Sequence, residues 1–307
     1  MPIKISDSLP ARAVLESEKI FVMTEYRALH QDIRPLSVLI LNLMPTKIVT
    51  EIQLMRKLSN TPLQIDVDLL HTSSHSSKHV STEYLSSFYT TFDQIRDKRY
   101  DGMIITGAPV ENLEFTTVEY WDELCDIMEW TRTHVYNTLH ICWGAQAGLY
   151  FHYNIPKYQL PKKLFGVFVH TMLDSTCPLF RGFDEKFYIP HSRYTEVRAS
   201  DIRKCDALEL LSISDEAGVF AVRSLDGRQI FIMGHPEYDS TTLGSEYLRD
   251  VKKGLDIDVP AHYYPDDDPT QAPMVRWRAH GQLLYSNWLN YYVYQATPYD
   301  LRDLAHH

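Results

Sequence analysis

The fold of this chain is decided at residues 140–148, which read His140-Ile141-Cys142-Trp143-Gly144-Ala145-Gln146-Ala147-Gly148. An apolar run that begins at Tyr136 leads into the segment, and small residues that a helix tolerates follow it. This order is typical of a strand, a tight turn and a helix, with Gly144 leaving room for the turn. Such a turn holds the Cys142 thiol at its tip, where the positive end of the helix dipole favours the nucleophilic thiolate. The segment therefore predicts a reactive cysteine.

A second short apolar strand ends at Gly234-His235-Pro236-Glu237. A cysteine nucleophile needs a base to take its proton, and the base needs a partner that fixes its tautomer. Residues two apart in an extended chain face the same way, so His235 and Glu237 can supply both groups. The alternative is a histidine that ends a strand beside a solvated glutamate. The order of the three residues, with Cys142 and His235 both at strand ends, favours the catalytic interpretation.

Composition and charge narrow the class of protein. The chain has 307 residues, of which 44% are hydrophobic and 23% charged, an ordinary globular balance. Its formal net charge of −10 does not favour a nucleic acid or an anionic membrane as a partner. Four cysteines without a CxxC pair argue against a zinc knuckle or a disulfide framework. Without a basic-then-apolar leader or an apolar stretch of about 18 residues, we expect a cytoplasmic protein with no membrane span.

Alternating strand and helix patterns organise the first half of the chain. They predict strands at 37–43, 64–70, 102–106 and 136–141 and helices at 47–59, 84–97 and 118–134. This alternation indicates an α/β fold with a doubly wound, mostly parallel sheet flanked by helices, whose ligands lie at the carboxyl ends of the strands. Between 164 and 235 shorter β-like runs predict an antiparallel or mixed continuation of the sheet.

Three regions are expected along the chain. Residues 1–35 form an N-terminal arm, or a short helix at 10–18 packed outside the core, and residues 36–258 form the α/β domain. Residues 259–307 form a turn-rich linker and an aromatic-rich helix, predicted at 279–295, that packs on the same domain. The apolar stripe of this helix favours packing or a dimer contact over a ligand site.

No metal site is expected. His71, His75 and His79 are spaced by four, but their segment is rich in serine and offers no carboxylate or cysteine to complete a ligand set. The run Asp266-Asp267-Asp268 lacks the glycine and glutamate of a calcium loop and is typical of a solvated turn.

Five segments carry a resemblance that covers nearly the whole chain. The Cys-Trp-Gly and His-Pro-Glu segments resemble class I glutamine amidotransferases. All five together resemble one branch of that fold, the homoserine O-acyltransferases of methionine biosynthesis. The segments are Asn42-Leu43-Met44-Pro45-Thr46-Lys47, Thr106-Gly107-Ala108-Pro109, His140-Ile141-Cys142-Trp143-Gly144-Ala145-Gln146, Pro190-His191-Ser192-Arg193 and Gly234-His235-Pro236-Glu237.

Two other functions stay open at this point. A glutamine amidotransferase or related cysteine hydrolase would share the fold. Amidotransferases usually carry glycine where this chain has His140, however, and no synthetase domain is evident. A non-catalytic binding module that kept the fold would leave Cys142 no more reactive than the other three cysteines.

The residue types permit a ping-pong acyl transfer, in which Cys142 exchanges one thioester for another at little free-energy cost. His235 would take the proton of Cys142 and later activate the incoming hydroxyl. Glu237 would hold the imidazole and stabilise its cation.

The tetrahedral oxyanion of such a reaction needs two hydrogen-bond donors. The backbone N–H of Trp143, directly after the nucleophile, is the first candidate. The loop after Thr106 should supply the second. Since Pro109 has no N–H, the choice there is between Ala108 and Val110.

The resemblance implies which residues bind the substrates. It places the carboxylate and amine of homoserine near Lys163, Ser192 and Arg249, all of which are present. Lys47, at the start of the first helix, could bind the acyl donor or tune the nucleophile. No bound cofactor is implied, because the acyl-CoA is a co-substrate, and a homodimer is expected.

Glu111 is expected to select the acyl group. In the family that the chain resembles, glycine at this position goes with succinyl, and glutamate goes with acetyl. A carboxylate here would fill the pocket and repel the distal carboxylate of a succinyl group, at a cost of about 1–4 kcal/mol. The chain is therefore expected to use acetyl-CoA, with succinyl-CoA as the alternative. A Glu111 side chain that pointed to solvent would remove this preference.

Overall fold

The computed structural model describes residues 3–5, 22–24, 35–74, 81–298 and 300–306. The helix expected near 10–18 and two of the spaced histidines, His75 and His79, lie outside the described residues. Within the described part of the chain, no helix is both long and apolar enough to span a bilayer.

Eleven strands lie within those ranges, and nine of them form one sheet. In chain order they are β1 Ile3–Ile5, β2 Val22–Thr24, β3 Leu36–Leu41, β4 Ile65–Leu70, β5 Tyr100–Ile105, β6 Val135–Ile141, β7 Tyr158–Met172, β8 Lys186–Glu196, β9 Leu208–Ser214, β10 Gly218–Ser224 and β11 Gln229–Ile232. β1 and β2 pair in parallel with each other, apart from the large sheet.

Eight α-helices lie in the same part of the chain. They are α1 Lys47–Leu58, α2 Thr82–Phe88, α3 Phe92–Ile95, α4 Trp121–His134, α5 Trp143–Tyr153, α6 Ala199–Ile202, α7 Thr242–Lys252 and α8 Arg278–Asn287. A π-helix, Trp288–Tyr294, continues α8. Short 3-10 helices cover Phe115–Thr117, Pro178–Phe180, Pro265–Asp267 and Leu301–His306.

The large sheet has the strand order β4-β3-β5-β6-β11-β10-β9-β7-β8. Neighbours from β4 to β11 are parallel, and neighbours from β11 to β8 are antiparallel. In the parallel half, β5 and β6 are buried almost throughout, as strands covered by helices on both faces require. The predicted α/β fold is confirmed, and its antiparallel continuation supplies half of the strand pairs.

The single helix expected over 84–97 is wrong, because the segment forms α2 and α3 with a break between them. At the break Thr90 pairs with β4: its N–H donates to the carbonyl of Leu69 at 2.8 Å, and its carbonyl accepts from His71 at 3.2 Å. Thr91 then starts α3 through a capping box with Gln94. A tertiary strand contact thus overrides the local helical pattern.

The aromatic stripe of the C-terminal helix packs inside the chain. Trp288 is fully buried, and its indole N–H donates to Oδ1 of Asn137 in β6 at 2.6 Å. Gly102 in β5 gives the helix room, since a Cβ there would lie 3.0 Å from Val293 and 3.1 Å from Trp288. The helix is α-helical only to Asn287 and then becomes a π-helix.

The turn between β6 and α5 has the strained geometry expected of it. Cys142 has φ 52° and ψ −116°, and its N–H donates to the carbonyl of Ile232 at 2.7 Å. Its carbonyl accepts from the N–H of Gln146 at 3.1 Å. At Gly144 a Cβ would lie 2.5 Å from the carbonyl oxygen of Thr106, so the helix can begin here only with glycine.

Candidate active site

Cys142 and His235 meet at the loop that follows β5. Cys142 is buried, with 4% of its surface exposed. A Cβ on Gly107 would lie 3.2 Å from Cβ of Cys142 and 3.6 Å from Cε1 of His235. The missing side chain therefore leaves the thiol and the imidazole in reach of each other.

His235 follows β11 and is held from several sides. The backbone N–H of His235 donates to the carbonyl of Pro190 in β8 at 2.8 Å. Its Nδ1 donates to Oε1 of Glu237 at 2.7 Å, and both side chains are buried. The hydroxyl of Tyr285 donates to the other carboxylate oxygen at 3.4 Å. The structure thus brings together the thiol, imidazole and carboxylate that the sequence singled out.

The charge state of His235 follows from its neighbours. Burial alone would lower the pKa of this imidazole, but Cys142 and Glu237 together outweigh burial and hold it well above its usual value of 6.5. The imidazolium then lies beside Cys142, and Glu237 stabilises its positive charge. An imidazolium beside a cysteine favours the nucleophilic thiolate.

A cavity of about 450 Å³ opens beside this group. Every substrate-binding and specificity residue predicted from the sequence lines this cavity, except Lys47. The lining includes Cys142, His235, Glu111, Lys163, Ser192 and Arg249. Residues from the parallel and the antiparallel halves of the sheet therefore meet at one space.

The backbone donors considered for an oxyanion lie at the ends of β5 and β6. Trp143 opens α5 directly after Cys142, where a helix leaves its first N–H groups without intrahelical partners. Ala108 lines the cavity. Val110 is absent from the cavity wall, and its carbonyl accepts from Leu113 at 3.0 Å in a turn. Both residues of this loop stay candidates for the second donor.

Two acidic residues that sequence reasoning missed organise the cations of the cavity. Asp250 accepts from Nζ of Lys163 at 3.1 Å and from Nε of Arg249 at 2.7 Å. Glu246 accepts from the Ser192 hydroxyl at 2.5 Å and lies 3.6 Å from the lysine nitrogen. The sequence could have indicated both acidic residues. Glu246 precedes Arg249 by three residues and Asp250 by four, and residues at these spacings lie on one face of a helix such as α7.

Tyr238 is a third residue that the sequence analysis did not single out. Its ring stacks on the imidazole of His235, with centroids 4.2 Å apart and planes inclined by 14°. Its hydroxyl donates to Oε1 of Glu246 at 2.9 Å. The ring therefore restricts the imidazole and connects it to the acidic group of the cavity.

Arg193 and Thr195 in β8 anchor the first turn of α5, the helix that follows Cys142. The fully buried guanidinium of Arg193 donates to the carbonyls of Thr195 at 2.7 Å and Ala217 at 2.5 Å. The Thr195 hydroxyl in turn donates to the side chain of Gln146 at 2.7 Å, and the Gln146 amide donates back to the Thr195 carbonyl at 3.1 Å. These bonds fasten β8 to the first turn of α5.

Glu111 and Lys47 differ in their relation to the cavity. Glu111 lines it, and burial raises the pKa of its carboxyl group, opposed by the positive charges of Lys163 and His235. Lys47 donates to the carbonyl of Asn42 at 2.6 Å and does not line the cavity. Burial lowers the pKa of Lys47 to about 8.

In the part of the chain that the structure describes, no three histidine, cysteine or acidic side chains are grouped to hold a metal ion. His71 places Nδ1 3.0 Å from the carbonyl oxygen of Thr72. Asp268 accepts from the N–H and hydroxyl of Thr270, as in a local turn.

The chain is an α/β protein with a cysteine at the strand–helix turn, and its fold is similar to that of glutamine amidotransferases. A solved glutamine amidotransferase from Thermotoga maritima is similar with a TM-score of 0.57 and 13% identity, covering 83% of this chain and 97% of its own. One from Methylobacillus flagellatus gives 0.52 and 10% identity, covering 84% and 95%. At these identities the likeness shows the fold alone.

The chain belongs to the HTS family, described as homoserine O-succinyltransferase, whose sequence model matches residues 2–299. Two relatives are named homoserine O-acetyltransferase. The one from Brevibacillus brevis is 62% identical over 99% of both chains. The one from Petrotoga mobilis is 59% identical over 99% of this chain and 98% of its own. The resemblance found in the sequence is confirmed, and the chain is an acyltransferase.

Glu237→Gln is expected to slow the alkylation of Cys142 by iodoacetamide. Without the negative charge the neutral imidazole is favoured, so less thiolate is present at neutral pH. We expect the rate at neutral pH to fall at least about tenfold, the equivalent of one pK unit, and the pH of half-maximal alkylation to rise. Mass spectrometry of the labelled peptide measures both.

Tyr285→Phe is the matched control, because it removes only a long hydrogen bond to the same carboxylate. Its alkylation rate should stay within about twofold of the wild-type rate. Identical pH profiles for Glu237→Gln and the wild type would contradict the role given to Glu237.

Proposed function

We propose that the chain is a homoserine O-acetyltransferase, which moves an acetyl group from acetyl-CoA to the hydroxyl of L-homoserine. The acyl group would pass through a thioester on Cys142. The observation that carries the proposal is the grouping of Cys142 and His235 at the wall of a cavity lined by charged groups, with His235 hydrogen-bonded to Glu237. The names of the relatives support the choice of homoserine and acetyl.

In the first half-reaction the thiolate of Cys142 attacks the thioester carbonyl of the donor. The bond between the acyl carbon and the CoA sulfur breaks, and the leaving sulfur takes the proton of the His235 imidazolium. In the second half-reaction the neutral imidazole takes the hydroxyl proton of homoserine as its oxygen attacks the acyl-enzyme. O-acetylhomoserine leaves, and the thiolate–imidazolium pair is restored.

The tetrahedral intermediates of both half-reactions carry an oxyanion. We assign its stabilisation to the N–H groups of Trp143 and Ala108, with Val110 as the alternative to Ala108. Both assigned residues lie where the parallel strands end, the edge at which ligands of such sheets bind.

A zwitterionic amino acid suits the charges of the cavity. The guanidinium of Arg249 is half exposed and can pair with the carboxylate of homoserine, with Lys163 beside it. Glu246 offers a carboxylate for the ammonium group, and Ser192 adds a hydroxyl contact. The charges of Lys163 and Arg249 are already aligned by Asp250, so little reorganisation is needed when homoserine binds.

The choice of the acetyl group is supported by Glu111, which lines the same cavity as Cys142. A carboxylate at this place excludes the distal carboxylate of a succinyl group through volume and like charge. The homodimer, the cytoplasmic location and an accessory role for Lys47 remain predictions of this proposal.

Acetyl-CoA alone should convert the protein to an acyl-enzyme. We expect intact-mass spectrometry to show one added acetyl group, lost in Cys142→Ala and kept in Cys177→Ala, which removes a different buried cysteine. O-acetylhomoserine formed without any adduct on rapid quenching would contradict the covalent route. Release of ammonia from glutamine would select an amidotransferase instead.

Glu111→Gly should move the donor preference toward succinyl-CoA. The like-charge cost of about 1–4 kcal/mol corresponds to a change of roughly fivefold to a thousandfold in the ratio of kcat/KM values. Steady-state kinetics with acetyl-CoA and succinyl-CoA measure this ratio. A wild-type preference for succinyl-CoA would overturn the acetyl assignment.

A further inference from the structure

We propose that a second cavity, adjacent to the first, binds the pantetheine arm of the acyl-CoA donor. The inference rests on the proposed function, because only a CoA thioester has such an arm. The second cavity has a volume of about 320 Å³ and lies between α1 and α7. Its size falls within the range of small-molecule sites.

The two cavities share a wall that carries the reacting groups. Met44, Gly107 and His235 line both of them. Gly107 has no side chain to separate them, and it lies against both Cys142 and His235. A chain that lies in the second cavity can therefore present its end to the thiol past Gly107.

The chemistry of transfer places the leaving group on this side. The CoA sulfur must lie near the proton of His235 when its bond to the acyl carbon breaks. Lys163 and Asp250 line only the first cavity, and Arg249, which pairs with Asp250, lies on the wall that the two cavities share. This paired set of charges suits an amino acid rather than a neutral chain. The second cavity reaches the same imidazole, because His235 lines it too.

Away from its charged wall, the lining of the second cavity matches a neutral chain of methylene, methyl and amide groups; that wall consists of His235, Glu237, Asp239, Glu246 and Arg249. Val49, Leu54 and Ile141 supply aliphatic surface. The amide of Gln53 donates to the Thr242 hydroxyl at 2.9 Å, so neutral polar groups from both helices line the same space. Few placed polar groups among apolar ones are the usual pattern of a ligand site.

The rim of the second cavity carries a cation and an exposed apolar residue. Asp239 lines the cavity and forms an ion pair with Arg56, whose side chain is 55% exposed. A guanidinium there can contact the phosphates at the far end of the donor. Val49 is 49% exposed, and a bound alkyl chain would cover it.

The test blocks the second cavity and compares two acetyl donors. Val49→Trp fills the cavity from α1. Ile48→Trp is the matched control, since Ile48 is 47% exposed on the same helix but does not line the cavity. The donors are acetyl-CoA and p-nitrophenyl acetate, which carries acetyl without a pantetheine arm. The rate of Cys142 acetylation is followed by mass spectrometry.

We expect Val49→Trp to be acetylated at least tenfold more slowly by acetyl-CoA and within twofold of the wild-type rate by p-nitrophenyl acetate. Ile48→Trp should match the wild type with both donors. Ser245→Trp, which enters the cavity from α7, should reproduce the effect of Val49→Trp.

Equal rates with acetyl-CoA for Val49→Trp and Ile48→Trp would overturn the inference. An equal loss with both donors would also overturn it, because the damage would then lie at the thiol and not at the arm. Wild-type protein that p-nitrophenyl acetate labels and acetyl-CoA does not would refute the proposed function itself. The wild-type rates with the two donors therefore distinguish a failure of the proposed function from a failure of the inference about the second cavity.

Discussion

The site depends on one backbone constraint, the positive φ of Cys142. A non-glycine residue in such a conformation costs about 1–3 kcal/mol and persists only where its surroundings enforce it. Here the main chain of Cys142 is tied to Ile232 on one side and to the first turn of α5 on the other. Gly144 lets that turn approach the end of β5, and Arg193 fastens the helix from below through Thr195.

This backbone constraint matters because it fixes the positions of the two groups that would carry charge, the Cys142 thiol and the His235 imidazole. A thiol at the tip of the turn cannot withdraw into the core, and the imidazole opposite it is held by the Pro190 carbonyl, Glu237 and the ring of Tyr238. Each of these buried groups would be costly alone, and together they satisfy one another. The charged cavity beside them is ordered in the same way by Glu246 and Asp250.

Much of this arrangement could be predicted from the sequence because it resides in short segments. The turn at Cys142 and the strand-end pair of His235 and Glu237 are local patterns, and parallel strands bring their ends to one edge of the sheet. His140, unusual beside a nucleophile, fits because Gly148 leaves it space: a Cβ there would lie 2.7 Å from its Nδ1. The family match confirms the narrower resemblance.

What could not be predicted depends on contacts between distant segments. The break between α2 and α3 is set by the pairing of Thr90 with β4, which no local pattern reveals. Tyr238 belongs to the site because its ring stacks on His235 and its hydroxyl is hydrogen-bonded to Glu246, and neither contact can be inferred from the local sequence. The second cavity likewise lies between α1 and α7, which are far apart in the chain and are joined by the hydrogen bond of Gln53 to Thr242.

The central claim is that Cys142 is ionised and reachable although it is buried. Limited iodoacetamide at neutral pH, followed by peptide mapping, tests this most directly. Cys125 and Cys205 are more exposed than Cys142, so access alone would label them first. Burial and nearby acidic groups raise the pKa of Cys125 to about 11, which leaves it as the unreactive thiol. We predict that Cys142 is labelled first, and labelling of Cys125 or Cys205 ahead of it would contradict the claim.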